Sequence, residues 1–574
     1  MEMSDPDALN EPKSLDKASP VARVRWWTFF VLIVAGIVVS GLYWMMNGDI
    51  WWHLKAGELI RKTGSIPTHN LFTYTNPYSE WIDLHWLFQL GASVVYDTFG
   101  TAGLVLTKAI LGGTVFAILL GITRDSIPGW LMAVSWLPFV FIYGGRFHVR
   151  PEMLSHLYIA LTLVILSLHR KGRSGWIWAL IPLQILWVNC QGLFILQHCL
   201  VGAYAIDWSF NNGSRFLSQS ARKVWLVLFA ICIASLCNPY GLEGALFPLE
   251  LLGKMGGEHR ELYNLLAGET VGMSSFIERY GFGALLESST PRWIMIMTPL
   301  VIGSVCFASY LDKQLKIYQV ILMLGFGYLT WNMNRNASLY SLVWGFVFVE
   351  SLGVIWKSRS RKSNSEQADA MTPGGVGQGI FALFLVLHLA SGVLGIVQEE
   401  ERTGDFALSR KAGVGEHPWY QHEAAKFIAN LPVQANVFAS YHGTGFAGLV
   451  VYHGFDGKSP NGKRVFADAR LEANRVEVLQ EFSKWLDQAQ ENLATAERTL
   501  LKYSDTLPIL AVGTSDLLRR PRLLEALIAE ERWRSVYLSD SPTTGTGVVV
   551  FVPDYLAREL ELEVISLAPL RRSW

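Results

Sequence analysis

The chain has 574 residues, 51% hydrophobic and 17% charged, with 22 tryptophans and a formal net charge of zero. A mean hydropathy of +0.27 excludes a soluble globular protein and describes a polytopic membrane protein. Balanced charge offers no basic excess for nucleic acid, and Cys190, Cys199, Cys232, Cys237 and Cys306 sit in or beside apolar runs without the spacing of a disulfide framework or zinc site.

In chain order, residues 1–25 are polar and too long for the leading region of a signal peptide. No small-residue cleavage pattern follows the first apolar run, which is expected to remain as an anchor. Runs of spanning or near-spanning length lie at 26–46, 102–123, 128–145, 151–169, 175–189, 192–209, 223–238, 292–312, 317–333, 336–356 and 379–397. They predict about eleven transmembrane helices. "WLFQLGASVVY" at 86–96 is apolar but too short to cross about 30 Å of hydrocarbon, and reads as interfacial or re-entrant. With that segment not crossing, "HRKGRSG", "NNGSRFLSQSARK", "DKQLK" and "KSRSRK" fall on the same side as the basic N-terminus, as the positive-inside rule requires.

This orientation places the N-terminus in the cytoplasm. It gathers outside the 47–101 loop, "GGRFHVRPE", "VNCQG", "CNPYG" with the loop running to 291, "NMNRN", and everything after about 398. Residues 357–378, charged and then Gly-rich, read as a cytoplasmic linker, 379–397 as the last span, and 398–574 as a small outer α/β domain. In that domain "ANVFAS", "GLVVYHG", "KRVFADAR", "LPILAVG" and "TGVVVFV" read as strands, and 420–430, 470–500 and 515–531 as helices.

The stretches "GDIWWHLKAGELIRKTGSIPTHNLFTYTNPYSEWIDLHWLFQL", "GRFHVRPEMLSHL", "LWVNCQGLFIL", "LCNPYGLEGALFPLELL", "NRNASLYSL" and "RVFADARLE" together resemble a large family of bacterial polytopic membrane proteins. That family is similar in turn to the GT-C class of integral-membrane glycosyltransferases, which includes protein O-mannosyltransferases, oligosaccharyltransferases and lipid A aminoarabinose transferases. The resemblance covers nearly the whole chain. It implies a GT-C-like arrangement over 26–356 in the bacterial inner membrane, with a periplasmic C-terminal domain. The implied activity moves a sugar from a polyprenyl-phosphate-linked donor to an envelope glycan, lipid or protein acceptor on the outer face.

The same resemblance implies an acid just after the first span, which Asp49 matches by position, and two amphipathic helices, matched by 53–62 and 84–97. In such enzymes the acid is a general base or helps hold a divalent metal, magnesium or manganese, and both roles stay open here. Where the family often has an acid this chain has Asn70, and where it has a glutamate this chain has His85. A metal would then rest on Asp49 and His85, with His53, His69, Glu80 and Asp83 as further members of a mixed site. The missing carboxylates keep a second class in play, a noncatalytic membrane component of envelope polysaccharide assembly or transport.

Transfer of a sugar to a hydroxyl needs a base for the acceptor proton and cationic stabilisation of the departing phosphate. Asp49 can supply the first; Arg146, Arg150, Lys108 and Arg335 can supply the second, guanidinium pairing bidentately with phosphate. Lys108 falls within a predicted span, where a charge is costly. Asn189, Gln191, Asn238, Tyr240 and Asn336 are polar residues at helix ends on the same expected side. Each has a plainer reading. Asp49 can simply cap the helix beginning near Trp51, and the arginines and Lys108 can snorkel to the interface. Trp51, Trp52, Trp81 and Trp86 fit an interfacial aromatic belt, "NPYG" is a helix-ending turn, and Asp468 with Arg470 fits a structural ion pair. No P-loop, dinucleotide fingerprint, HExxH or internal repeat is present.

Reporter fusions at residues 172 and 360 are expected to register the cytoplasm, and fusions at 60 and 450 the outer compartment. A cytoplasmic signal at 450 would sink the orientation.

Overall fold

The computed structural model describes residues 20–362 and 412–571, apart from 125, 212–218, 258, 267–270, 418, 441–444, 457–461, 471, 530–531 and 540–546. Its first part is helical: α1 (Pro20–Ser40), α2 (Ile50–Thr63), α3 (Trp86–Ile122), α4 (Gly129–Gly144), α5 (Glu152–Arg170), α6 (Leu180–Val188), α7 (Ile195–Asn211) and α8 (Gln219–Ala234). There follow α9 (Gly241–Gly256), α10 (Arg260–Leu266), α11 (Met273–Tyr280), α12 (Phe282–Glu287), α13 (Ser289–Asp312), α14 (Ile317–Asn332) and α15 (Ala337–Lys362). Ten of the eleven apolar runs fall on α1, α3 to α8 and α13 to α15; the eleventh, 379–397, lies outside the described residues with most of the 357–378 linker. Among the described residues, six helical stretches are long and apolar enough to cross a membrane: 23–40, 86–122, 152–170, 192–211, 289–312 and 334–359. Trp26, Phe116, Trp136, Phe139 and Tyr340 are buried in the core between them.

Two local features differ from a plain reading of the runs. The apolar piece at 86–96 runs straight into the next span, but Gly100 interrupts the helix at φ 61°, ψ −157°, so the short piece and the span are set at a kink. A side chain rarely adopts that backbone, and glycine adopts it freely. The long connection from 239 to 291 is itself built of four short helices, α9 to α12.

The C-terminal part is an α/β domain on a five-stranded sheet of β1 (Asn436–Ala439), β2 (Arg464–Val465), β3 (Ile509–Gly513), β4 (Trp533–Leu538) and β5 (Val548–Pro553), in the order β2-β1-β3-β5-β4. β1 pairs parallel with β2 and β3, while β5 pairs antiparallel with β3 and β4. "GLVVYHG", expected as a strand, is instead the C-terminal part of a helix, Gly445–Gly454. A short apolar run buried on most sides carries no period to tell strand from helix, and here Phe446, Leu449, Val450 and Val451 are all buried. β4 was not among the expected strands.

This domain is joined backbone to backbone with the first loop. Met45 N donates to Gly415 O at 2.9 Å and His417 N to Met45 O at 2.9 Å, while Val465 N donates to Phe72 O at 2.9 Å and Tyr74 N to Val465 O at 3.1 Å. Residues 72–74 thereby extend the sheet beyond β2. Between loop and domain lies Arg470, 1% exposed. Its Nε and Nη2 donate to Asp468 Oδ2 at 2.9 and 2.5 Å, and Nη2 also donates to Asn70 Oδ1 at 2.7 Å. Its guanidinium carbon lies 4.7 Å from the centre of the Phe72 ring, 4.5 Å from Trp81 and 5.8 Å from Trp52. The ion pair expected of Asp468 and Arg470 is therefore present, and it reaches across to the helical part through Asn70.

The aromatic-belt reading of Trp51, Trp52 and Trp81 is corrected by this seam. All three are buried, Trp51 against Tyr96, Tyr420 and Tyr452, and none faces a bilayer. Each large ring so placed removes about 150–250 Å² from water, which the loop and domain achieve only together. Trp86 keeps a polar edge, its Nε1 donating to Asn189 Oδ1 at 2.9 Å.

Two consequences can be measured. Asp468→Asn leaves the buried Arg470 charge uncompensated and should destabilise the protein by about 3–5 kcal/mol in thermal or denaturant unfolding; an unchanged melt would refute the role of the pair. His453 sits beside His422 (Nε2 to Nδ1, 2.9 Å), and burial, then the His422 charge, lower its pKa from 6.5 to about 4. Between those values the unfolded chain binds the proton more readily than the folded one. Stability contributed by neutral His453 is thus present above pH 6.5 and lost as pH falls toward about 4. Screening at this partly exposed site keeps the loss to about 1–2 kcal/mol. His453→Gln should flatten that part of a stability-versus-pH curve.

Candidate active site

Among the described residues, the helical part and the C-terminal domain together line a cavity of ≈ 810 Å³. Its wall takes Asn47, Asp49 and His53 from around the start of α2, His85 from the start of α3, and Arg150 and Glu152 from the start of α5. Gln191 comes from the turn before α7, and Arg335 and Asn336 from the turn before α15. The domain adds Trp419, Arg470 and Glu472. A second side is apolar, with Phe247, Leu251 and Leu252 of α9 beside Leu196, Tyr328 and Leu329.

Asp49 stands directly before α2, at φ −69° and ψ −25°, but its side chain makes no capping hydrogen bond. Its Oδ2 lies 3.0 Å from Arg150 Nη2. The same Nη2 donates to Asn47 Oδ1 at 3.0 Å, and Asn47 Nδ2 donates to Val149 O at 3.1 Å. Asn47 is thus a neutral bracket that holds the arginine's backbone and its head group together. Arg335 lines the cavity from a single turn of 3-10 helix, and its neighbour Asn336 donates to Leu329 O at 2.8 Å, fixing the turn. Gln191 accepts from Ser155 Oγ at 3.2 Å and from the Leu193 backbone.

The remaining sequence candidates lie elsewhere. Lys108 does not line the cavity; it is buried in α3 with Nζ 3.5 Å above the Tyr43 ring, a cation–π arrangement that suits a desolvated ammonium. Arg146 sits behind the wall with Nη2 3.3 Å from Glu152 Oε1. Asn189 donates to Ile185 O and Cys237 O, both at 2.8 Å, and Asn238 braces its own turn through Ser235 O and Gly241 O. The Tyr240 hydroxyl donates to Pro67 O at 3.2 Å. These three bind helix ends together. His69 and Glu80 are exposed and face each other across an isolated backbone bridge.

Asp83 is buried behind His85, accepting from Gln89 Nε2 at 2.9 Å and from the His85 backbone at 3.1 Å, with His85 Nδ1 3.6 Å from its Oδ1. Burial alone would lower the His85 pKa, but the Asp83 carboxylate and the Glu472 charge raise it. His53 is driven the opposite way, well below the usual imidazole range, by burial and then by the charges of His85, Arg150 and Arg470. Glu472 is pushed up by burial, with Asp83 adding to the rise and His85 and Arg470 opposing it. One imidazole is held neutral while its neighbour, 5.6 Å away between ring centres, favours the proton.

Glu472, Glu152, Arg260 and Trp419 are cavity residues that sequence reasoning did not select. For Glu472 a signal existed: it stands two residues after Arg470 in "FADARLE", a stretch already singled out as an ion pair. Among the described residues, no three or more His, Cys, Asp or Glu side chains group to hold a metal ion. Asp49 and His85 each already face a charged protein partner. No step of the proposed reaction passes through a metal ion.

Neither a protein-family model nor a curated protein matches the sequence. Solved structures do. The archaeal oligosaccharyltransferase AglB from Archaeoglobus fulgidus, in complex with an inhibitory peptide and a dolichol-phosphate, is similar over 91% of this chain and 74% of its own, with a TM-score of 0.53 and 14% identity. The Archaeoglobus fulgidus oligosaccharyltransferase in the apo form aligns over 92% and 74%, with a TM-score of 0.56 and 13% identity. The enzyme tethered by a disulfide bond to an acceptor peptide containing the NVT sequon aligns over the same shares, with a TM-score of 0.51 and 13% identity. At such identity the likeness is one of architecture alone, the fold of these oligosaccharyltransferase structures.

Proposed function

We propose that this chain is a membrane glycosyltransferase that moves a sugar from a polyprenyl-phosphate-linked donor to an envelope acceptor, working on the outer face of the bacterial inner membrane. The observation that carries the reading is the composition of this cavity, lined by Asp49 with Arg150, by Arg335 and Arg260, and by apolar side chains of α9 and α14. A lipid phosphate has that division, an anionic head on a hydrocarbon chain. The archaeal structure of the same fold that holds a dolichol-phosphate supports the assignment.

In the proposed step the acceptor hydroxyl attacks the anomeric carbon. Its oxygen–carbon bond forms as the bond from that carbon to the phosphate oxygen breaks, leaving the electron pair on the phosphate. The hydroxyl proton passes to Asp49, while Arg150 and Arg335 hold the growing negative charge on the leaving group. Trp419, His85 and Glu472, contributed by the domain and by the start of α3, face the space left for the sugar and the acceptor.

Complementation of a deletion strain, read out by envelope glycans and lipid-linked sugars, tests this. Asp49→Asn should insert and express normally and lose activity by about 10²-fold or more. Arg150→Lys should be impaired although the charge is kept, because the planar fork is lost. Full complementation by both variants would leave the noncatalytic assembly or transport component as the reading.

A further inference from the structure

The Asp49–Arg150 contact raises a chemical difficulty for any base in this cavity. A carboxylate 3.0 Å from a guanidinium is a poor proton acceptor, and a guanidinium so paired has lost part of its attraction for a phosphate. Both groups are partly buried, with side-chain exposures of 31% and 19%, so water screens the pair only in part. Each partner weakens the other's expected role while they are together.

We propose that Asp49 is a placeholder for the donor phosphate on Arg150: the incoming phosphate takes the guanidinium, and the displaced carboxylate becomes the base. The inference rests on the glycosyltransferase reading above. The geometry of the bracket supports it. Arg150 Nη2 is shared between Asp49 Oδ2 and Asn47 Oδ1, each at 3.0 Å. Asn47 is itself tied to Val149 O at 3.1 Å. When Asp49 leaves, the neutral amide keeps Arg150 aimed into the cavity without competing for its charge. The donor phosphate, a diester with a single negative charge, matches the carboxylate in charge and is favoured in the exchange by the hydrocarbon chain it brings to the apolar side chains that line the same cavity. Donor binding and exposure of the base then become one event, and without a donor the carboxylate stays neutralised against stray proton transfer from water.

The competing role is that Asp49 merely orients Arg150. The two roles differ in sign when the carboxylate is removed. Orientation predicts weaker phosphate binding in Asp49→Asn, whereas displacement predicts tighter binding, because the occupant of the arginine is gone. The probe is farnesyl phosphate, the monoester that stands for the lipid phosphate released on transfer, titrated into purified full-length protein in detergent and followed by tryptophan fluorescence, since Trp52 and Trp419 line the cavity. Asp49→Asn is expected to lower the dissociation constant by about fivefold or more, and Arg150→Gln to raise it by a similar factor. In the Arg150→Gln background, Asp49→Asn should change little, because its effect acts through the arginine. If Asp49→Asn fails to fold, Asp49→Ser is expected to shift the constant in the same direction. Unchanged or weaker binding by a folded Asp49 variant overturns the placeholder and leaves the lipid-phosphate reading standing. No binding by wild type or any variant overturns the lipid-phosphate reading itself.

Discussion

A guanidinium taken out of water must find its counter-charge and its acceptors inside the protein, or the fold loses several kcal/mol. Arg470 meets that demand through Nε and Nη2, with Asp468 from its own domain and Asn70 from the loop after α2, while Nη1 has no hydrogen-bond acceptor among the described residues. One charge therefore fixes the position of two parts of the chain that lie 400 residues apart in sequence. Phe72, Trp81 and, from α2, Trp52 close around it, and the loop that carries Phe72 and Trp81 also delivers Asp83 and His85. The roof of the cavity and the ordering of its polar wall are in this sense one packing problem with one solution.

The cavity is lined by both charged and apolar side chains: Arg150, Arg335 and Arg260, Asp49, Glu152 and Glu472, and leucine and phenylalanine of α9. Partial burial strengthens these interactions relative to a surface site. At the start of α3, His85 is an imidazole backed by the buried Asp83 carboxylate, a group able to carry a proton.

Much of the helical part could be read from the sequence, because a span must be apolar over a fixed length and the bundle has little freedom to disguise it. The kink at Gly100 was partly legible as the gap between a short apolar piece and a long one. The helix at 445–454 was not, since Val450 and Val451 favour strands intrinsically and only their packing against the first loop decides the matter. The indole rings misread as belt residues failed for a related reason: their hydrophobicity was evident, but whether lipid or a second domain would bury them was not. In the site, Asp49, Arg150, Arg335, His53, His85, Gln191 and Asn336 could each be picked out singly. The pairing of Asp49 with Arg150 could not, because no local pattern links residues about a hundred positions apart. Glu472 was hidden by its neighbours, whose ion pair already explained the stretch.

The sheet of the C-terminal domain has one more property that follows from its borders. At one side β2 is extended by residues 72–74. At the other, Ile565 donates its backbone N–H to Ser535 O at 2.7 Å, and the Ser535 hydroxyl donates back to Ile565 O at 2.6 Å, so β4 too is flanked by the chain's own backbone. An open border is the usual template for β-augmentation by a foreign peptide and for aggregation between copies. Among the described residues, these contacts engage part of each border with the chain's own backbone, which disfavours that mode of recognition there. At those stretches specificity for a visitor would reside in surface chemistry and not in an extended segment annealed to the sheet.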